Sequence, residues 1–198
     1  SIMAEFDLPF RFPENVLKES EKIPEGITSD EIKKRWDFRE VLTFTIDPED
    51  AKDFDDALSF KKLDNGLYEI GVHIADVTHY VKPGNVLDDD AFDRATSVYL
   101  VDRTVPMLPE RLSNGLCSLR PNEDKLTFGA VFEMDNKGKL HKEWYGRTII
   151  HSDHRFSYEQ AQEVIECGEG KFAEELKILN DLHHILRKDR FKKGAVNF

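Results

Sequence analysis

The chain has 198 residues, 39% hydrophobic and 34% charged, with 28 basic residues set against 39 acidic ones. That length gives one domain, or one domain with a docked arm, and enough interior for a real core. No apolar run approaches the roughly 18–20 residues of a membrane span, no signal peptide opens the chain, and 14 phenylalanines argue against general disorder.

Residues 1–40 read as an N-terminal arm or linker. Phe6, Leu8, Phe10 and Phe12 alternate around two prolines, as in an extended strap. Glu14–Glu21 has the make-up of a short helix, Ile23-Pro24-Glu25-Gly26 is a turn signal, and Ser29–Lys34 starts a second helix with Ser29 or Asp30 as cap. The opening Ser1-Ile2-Met3 reads as a cloning remnant or an internal cut, so a fragment is expected.

The folded body is expected over 41–198. Val41–Ile46 is a β-branched and aromatic strand that stops at Asp47-Pro48. Ala57–Lys61 and Leu67–Ala75 flank Asn65-Gly66, which predicts a hairpin with a type I′ turn. Thr78–Val81 and Ser97–Val101 are further predicted strands, and Leu87–Thr96 is a helix opened by three aspartates. Leu126–Met134 and Lys139–Ile150 form the arms of a second hairpin. Ser157-Tyr158-Glu159-Gln160 fits a capping box, and Phe172, Leu176, Leu179, Leu182 and Leu186 mark one face of a final helix ending near Gly194. The predicted class is α+β, an antiparallel-rich mixed sheet with helices packed on it.

A net charge of −11 argues against broad phosphate contact, but its distribution matters more. Residues 47–56, DPEDAKDFDD, hold six acids and one lysine, whereas 186–193, LRKDRFKK, hold five basic residues and one acid. Carboxylates this dense repel one another and favour a counter-charge. The run starts where a hydrophobic strand ends and returns into another apolar segment, which suits a hard divalent cation better than a solvated tail. An EF-hand fails for want of the mid-loop glycine and the twelfth-position glutamate. An aspartyl-phosphate enzyme fails because Glu49 stands where its second aspartate belongs.

Other residues support plainer readings. His73, in the alternating YEIGVHIA run, is expected to be a hydrogen-bonded strand residue, and Cys117 a buried small one. His151, Asp153 and His154 lack zinc-ligand spacing, and at most one of His183 and His184 can face a core. Two cysteines 50 residues apart form no disulfide framework, so a cytoplasmic protein is expected. Basic residues 187–193 suit either phosphate contact or a solvated helix end. From the residues alone, Tyr99 reads as a core aromatic.

The segment Thr45-Ile-Asp-Pro-x-Asp-Ala-Lys-Asp-x-Asp-Asp-Ala57 resembles the signature of the RNB catalytic domain of ribonuclease II and ribonuclease R. Val72–Val77, Arg94–Leu100, Pro106–Pro109, Leu116–Leu119 and Lys193–Val196 follow in that family's order. The resemblance covers about residues 37–198 and implies the N-terminal half of such a domain. It implies a processive 3′→5′ exoribonuclease that uses Mg2+, or Mn2+ in its place, on single-stranded RNA and releases nucleoside 5′-monophosphates. By motif, Asp47, Asp53, Asp55 and Asp56 become catalytic and metal-binding residues, Asp55 the most sensitive to loss. Tyr99 becomes the aromatic that stacks on a nucleotide near the RNA 3′ end. Family members carry cold-shock-like domains before this domain and an S1 domain after it, and an arginine-rich segment in its second half. None is visible here, so the chain alone is expected to be inactive. The competing reading is a catalytically silent RNB-like binding module; a structural Ca2+ loop is a third. Oligomeric state stays open.

Overall fold

The computed structural model describes residues 9–101 and 103–196; Phe6 and Leu8 of the expected strap lie outside them. Helix α1 (Glu14–Glu21) and a single turn α2 (Ser29–Ile32) precede strand β1 (Trp36–Phe38). The cap of α2 is Thr28, whose hydroxyl accepts from the Glu31 amide at 3.2 Å, rather than Ser29 or Asp30. Strands β2 (Thr43–Asp47), β3 (Asp56–Lys62) and β4 (Tyr68–Ala75) follow as an antiparallel meander. After α3 (Val77–Tyr80) and α4 (Val86–Arg94) come a small ribbon, β5 (Val98–Tyr99) with β6 (Thr104–Val105), and a π-helical turn at Arg111–Leu116. A long hairpin, β7 (Asp124–Met134) and β8 (Leu140–His151), runs on into β9 (His154–Ser157), α5 (Tyr158–Cys167) and α6 (Ala173–Lys192).

The strand order is β1-β8-β7-β4-β3-β2-β9, with parallel pairing at β1–β8 and β2–β9 and antiparallel pairing elsewhere. β1 and β2 are separated by four residues and β8 and β9 by two, yet each pair sits towards opposite ends of this order. Connections so short can be made only if the sheet curls until its edges meet. Asp153 marks the seam: its amide donates to the Thr43 carbonyl at 2.7 Å and its carboxylate accepts from the Thr43 amide at 2.8 Å.

Alternation along the strands gives each face its own core. Val16, Phe38, Leu87, Leu112, Leu119 and Ile150 join α1, α4 and the π-turn to one face. Phe44, Phe156 and Leu176, and next to them Phe60, Ile70 and Leu182, seat α5 and α6 on the other. The Ser157–Gln160 capping box forms as expected, and Gly168 at φ 72° ends α5.

Three further local readings differ. Thr78–Val81 is not a strand: the Thr78 hydroxyl donates to Asp76 Oδ1 at 2.6 Å and the His79 amide to the Asp76 carbonyl, winding the chain into α3 against β-branched propensity. The first hairpin is not type I′, since Gly66 (φ 81°) has positive φ but Asn65 does not. The Gly66 amide instead bonds the Leu63 carbonyl and Asn65 Oδ1 accepts from the Leu67 amide, a longer loop closed by a left-handed glycine. Finally, the sheet begins at Trp36, inside the segment expected to be an arm. Just before it, the buried Arg35 guanidinium donates to Asp76 Oδ2 at 2.7 Å, to Glu31 at 2.8 Å and to the Thr127 and Thr148 carbonyls. That ties the chain to the sheet before Val41.

Candidate active site

The hydrophobic strand β2 ends with Asp47, which is buried, and β3 starts at Asp56, which is exposed. The connecting loop, residues 48–55, carries Asp53 and Asp55 on either side of Phe54, whose ring enters the core. Backbone contacts hold it from several sides. Ser118 Oγ accepts from the Phe54 amide at 3.1 Å and donates to the Lys52 carbonyl at 2.8 Å, bracketing Asp53. The Leu119 amide bonds the Phe54 carbonyl and the Ala75 amide the Asp55 carbonyl. Arg155 Nη2 donates to the carbonyls of Pro48 and, at 2.8 Å, Glu49. The acidic run is therefore an anchored loop and not a solvated tail.

The four aspartates feel one another. Burial pushes the Asp47 carboxyl above its usual range and the charges of Asp56 and Asp53 push the same way, while the neighbouring Thr45 hydroxyl and then Arg155 pull it back. Asp55 is raised too, by loss of hydration first and then by Asp53, Asp56 and Asp47. Asp47 Oδ2 is buried without a hydrogen-bond partner. Each of these facts marks a place where a cation would lower the energy.

Tyr99, 64% exposed, is no core residue. Its hydroxyl donates to Asp53 Oδ2 at 2.6 Å, and mainly for that reason its own pKa is pushed up to about 12. Between the acidic loop and the β5–β6 ribbon opens a cleft of about 520 Å³, lined by Asp47, Lys52, Asp53, Tyr99, Arg103 and Asn114 among others. Asp55 and Asp56 reach this group electrostatically but stand outside the cleft's lining.

Among the described residues, no three His, Cys, Asp or Glu side chains form a cage able to hold a metal ion. Mg2+ does not need one, because it keeps several waters and shares substrate phosphate oxygens with one or two carboxylates. The orphaned buried Asp47 oxygen beside three further carboxylates fits such an open site.

The plainer readings of His73 and Cys117 hold. His73 is fully buried, with Nδ1 3.0 Å from Thr148 Oγ1 and Nε2 2.9 Å from Ser59 Oγ, and burial lowers its pKa to about 4. Cys117 is buried, its thiol pushed up to about 12. His151 pairs with Asp124 at 2.8 Å, His154 packs on Phe156, and His183, His184 and residues 187–193 lie on an exposed stretch of α6 and its end. Two residues escaped the sequence reading. Ser118 lies in the quoted Leu116–Leu119 motif, where nothing local tells that its hydroxyl backs the loop. Arg155 is brought to the site by the parallel β2–β9 register, Thr45 opposite Arg155, which no periodicity foretells.

A family model described as RNB domain matches residues 35–198. The chain belongs to the RNB family. Among its relatives, Ribonuclease R 1 of Lactococcus lactis is 45% identical over 203 residues, covering all of this chain and 25% of that protein. DIS3-like exonuclease 2 of Schizosaccharomyces pombe is 48% identical over 186 residues, covering 86% of this chain and 20% of that one. A structure of Mycoplasma genitalium RNase R in complex with double-stranded RNA superposes with a TM-score of 0.89 at 29% identity, covering 99% of this chain and 36% of its own. The RNB chain thus spans only about a fifth to a quarter of the length of these curated relatives. No described helix is long and apolar enough to cross a membrane.

Proposed function

We propose that the protein carrying this chain is a Mg2+-dependent, processive 3′→5′ exoribonuclease acting on single-stranded RNA and releasing nucleoside 5′-monophosphates. The observation that supports this reading is the anchored group of Asp47, Asp53, Asp55 and Asp56, with Tyr99 tied to Asp53 at the mouth of the cleft. Mg2+, or Mn2+ in its place, would be held by these aspartates, and when bound supplies charge neutralisation and polarisation at the scissile phosphate. The chain's own part is to position. Phe54 and Ser118 fix where Asp53 and Asp55 stand, Asp47 brings a carboxylate from the strand end, and the exposed ring of Tyr99 offers a face to an unpaired base. Stacking tolerates any base, as an exonuclease working through arbitrary sequence requires. All four aspartates are present, which disfavours a silent binding module.

The test uses the full-length protein with 5′-labelled single-stranded RNA in Mg2+, and an Asp55→Asn control. Progressive shortening from the 3′ end with monophosphate release, nearly abolished in the control while RNA affinity stays, is the expected result. Internal cuts, or full turnover by the Asp55→Asn protein, would refute it.

A further inference from the structure

Arg155 stands where the acidic loop leaves β2. Its Nη2 donates to both the Pro48 and Glu49 carbonyls, and its guanidinium carbon lies 5.6 Å from the centroid of Phe54, the residue between Asp53 and Asp55. One side chain therefore touches the start of the loop through its carbonyls and the end through a ring. Its Nε is buried with no partner, as is Asp47 Oδ2, two residues along β2 from Thr45, which faces Arg155 in the β2–β9 register. The guanidinium is thus a half-buried positive group, fixed at the base of the four carboxylates by two carbonyls and a ring. Lysine could match the charge but not the planar guanidinium, which lies against the ring while one of its nitrogens reaches both carbonyls.

We propose that Arg155 is a positioning residue of the acidic site: it holds the two ends of the loop 48–55 at a set distance, and with them the spacing of Asp53 and Asp55 from Asp47 on which cation binding at the open site depends. This rests on the exoribonuclease reading for its catalytic consequence, but not for its effect on cation binding. Groups that orient metal ligands from behind typically matter by 10- to 100-fold in metal affinity or activity.

The experiment compares wild type with Arg155→Met and Arg155→Lys in the full-length protein. Mn2+ binding is followed by titration calorimetry, RNA hydrolysis by kcat and KM, and folding by thermal denaturation. Expected are about a tenfold weaker Mn2+ affinity and a higher half-saturating Mg2+ in Arg155→Met, with kcat reduced and KM for RNA little changed. Arg155→Lys should recover only part of the Mn2+ affinity. If Arg155→Met fails to fold, Arg155→Lys decides: weaker Mn2+ binding at an intact melting temperature supports the proposal, and wild-type binding overturns it. Unchanged Mn2+ affinity in a folded Arg155→Met also overturns it. Should wild type bind Mn2+ yet shorten no RNA, the functional reading fails, while the variants' Mn2+ affinities still decide the role of Arg155.

Discussion

Tyr99 carries two separable properties, an exposed ring and a hydroxyl bonded to Asp53. Tyr99→Ala removes both, and base–aromatic stacking is worth about 1–3 kcal/mol. In the full-length protein it should change the length of the limit RNA product, because short RNAs depend most on each stacked base. Tyr99→Phe keeps the ring and should leave the limit product as in wild type; gel analysis of end products checks both. His73 gives a pH dependence of defined sign. Its folded-state pKa of about 4 lies below the ordinary 6.5, so between those values the unfolded chain binds the proton and the folded chain does not. Stability is fully present above about 6.5 and falls as pH drops towards 4, by about 3 kcal/mol from this group. Asp47 and Asp55, whose carboxyls are raised, contribute with the opposite sign. Urea unfolding at neutral pH and at about pH 5 should show a smaller loss for His73→Gln than for wild type.

At the scale of elements, the hairpins, the capping box and the long helices were legible because they are local: turn residues, alternation and helical spacing lie within a few positions of each other. The acidic site was legible for the same reason, its aspartates being packed into ten residues. What could not be read was supplied from far away. Asp76 winds α3 while it is gripped by Arg35, 41 residues earlier, and Arg155 meets Pro48 across 107 residues. The His73 ring lies where Gly71 and Gly129 leave room; a Cβ on Gly71 would come within 2.4 Å of its Nε2. Arg35 is the sharpest test of such distant ties. Thr78 and Arg35 hold the Asp76 carboxyl below its usual range despite burial. Arg35→Met would leave that buried carboxylate with the Thr78 hydroxyl and, as its nearest cation, the more distant Arg147, 3.7 Å away. Chemical denaturation should show a loss of about 3–5 kcal/mol.

For the whole molecule, net charge and site repulsion act together. Without a divalent cation, the four aspartates and a charge of −11 work against folding. Asp55→Asn should therefore raise the melting temperature in chelator. In Mg2+ the order should reverse, since a cation at a hundredfold its Kd adds about 2.7 kcal/mol to the state that binds it. Thermal melts of both proteins, with and without Mg2+, give the crossing. The curled sheet adds a consequence in time. β2 and β3 can zip early, and the loop between them then exists as a sequence-local excursion. Its brace arrives only with β9, after the edges of the sheet have come together at Asp153. Closing so long a stretch of chain is slow compared with forming a hairpin. In a stopped-flow refolding experiment, far-ultraviolet ellipticity should thus return ahead of Mn2+ uptake: the acidic centre is the last part of the molecule to come into being.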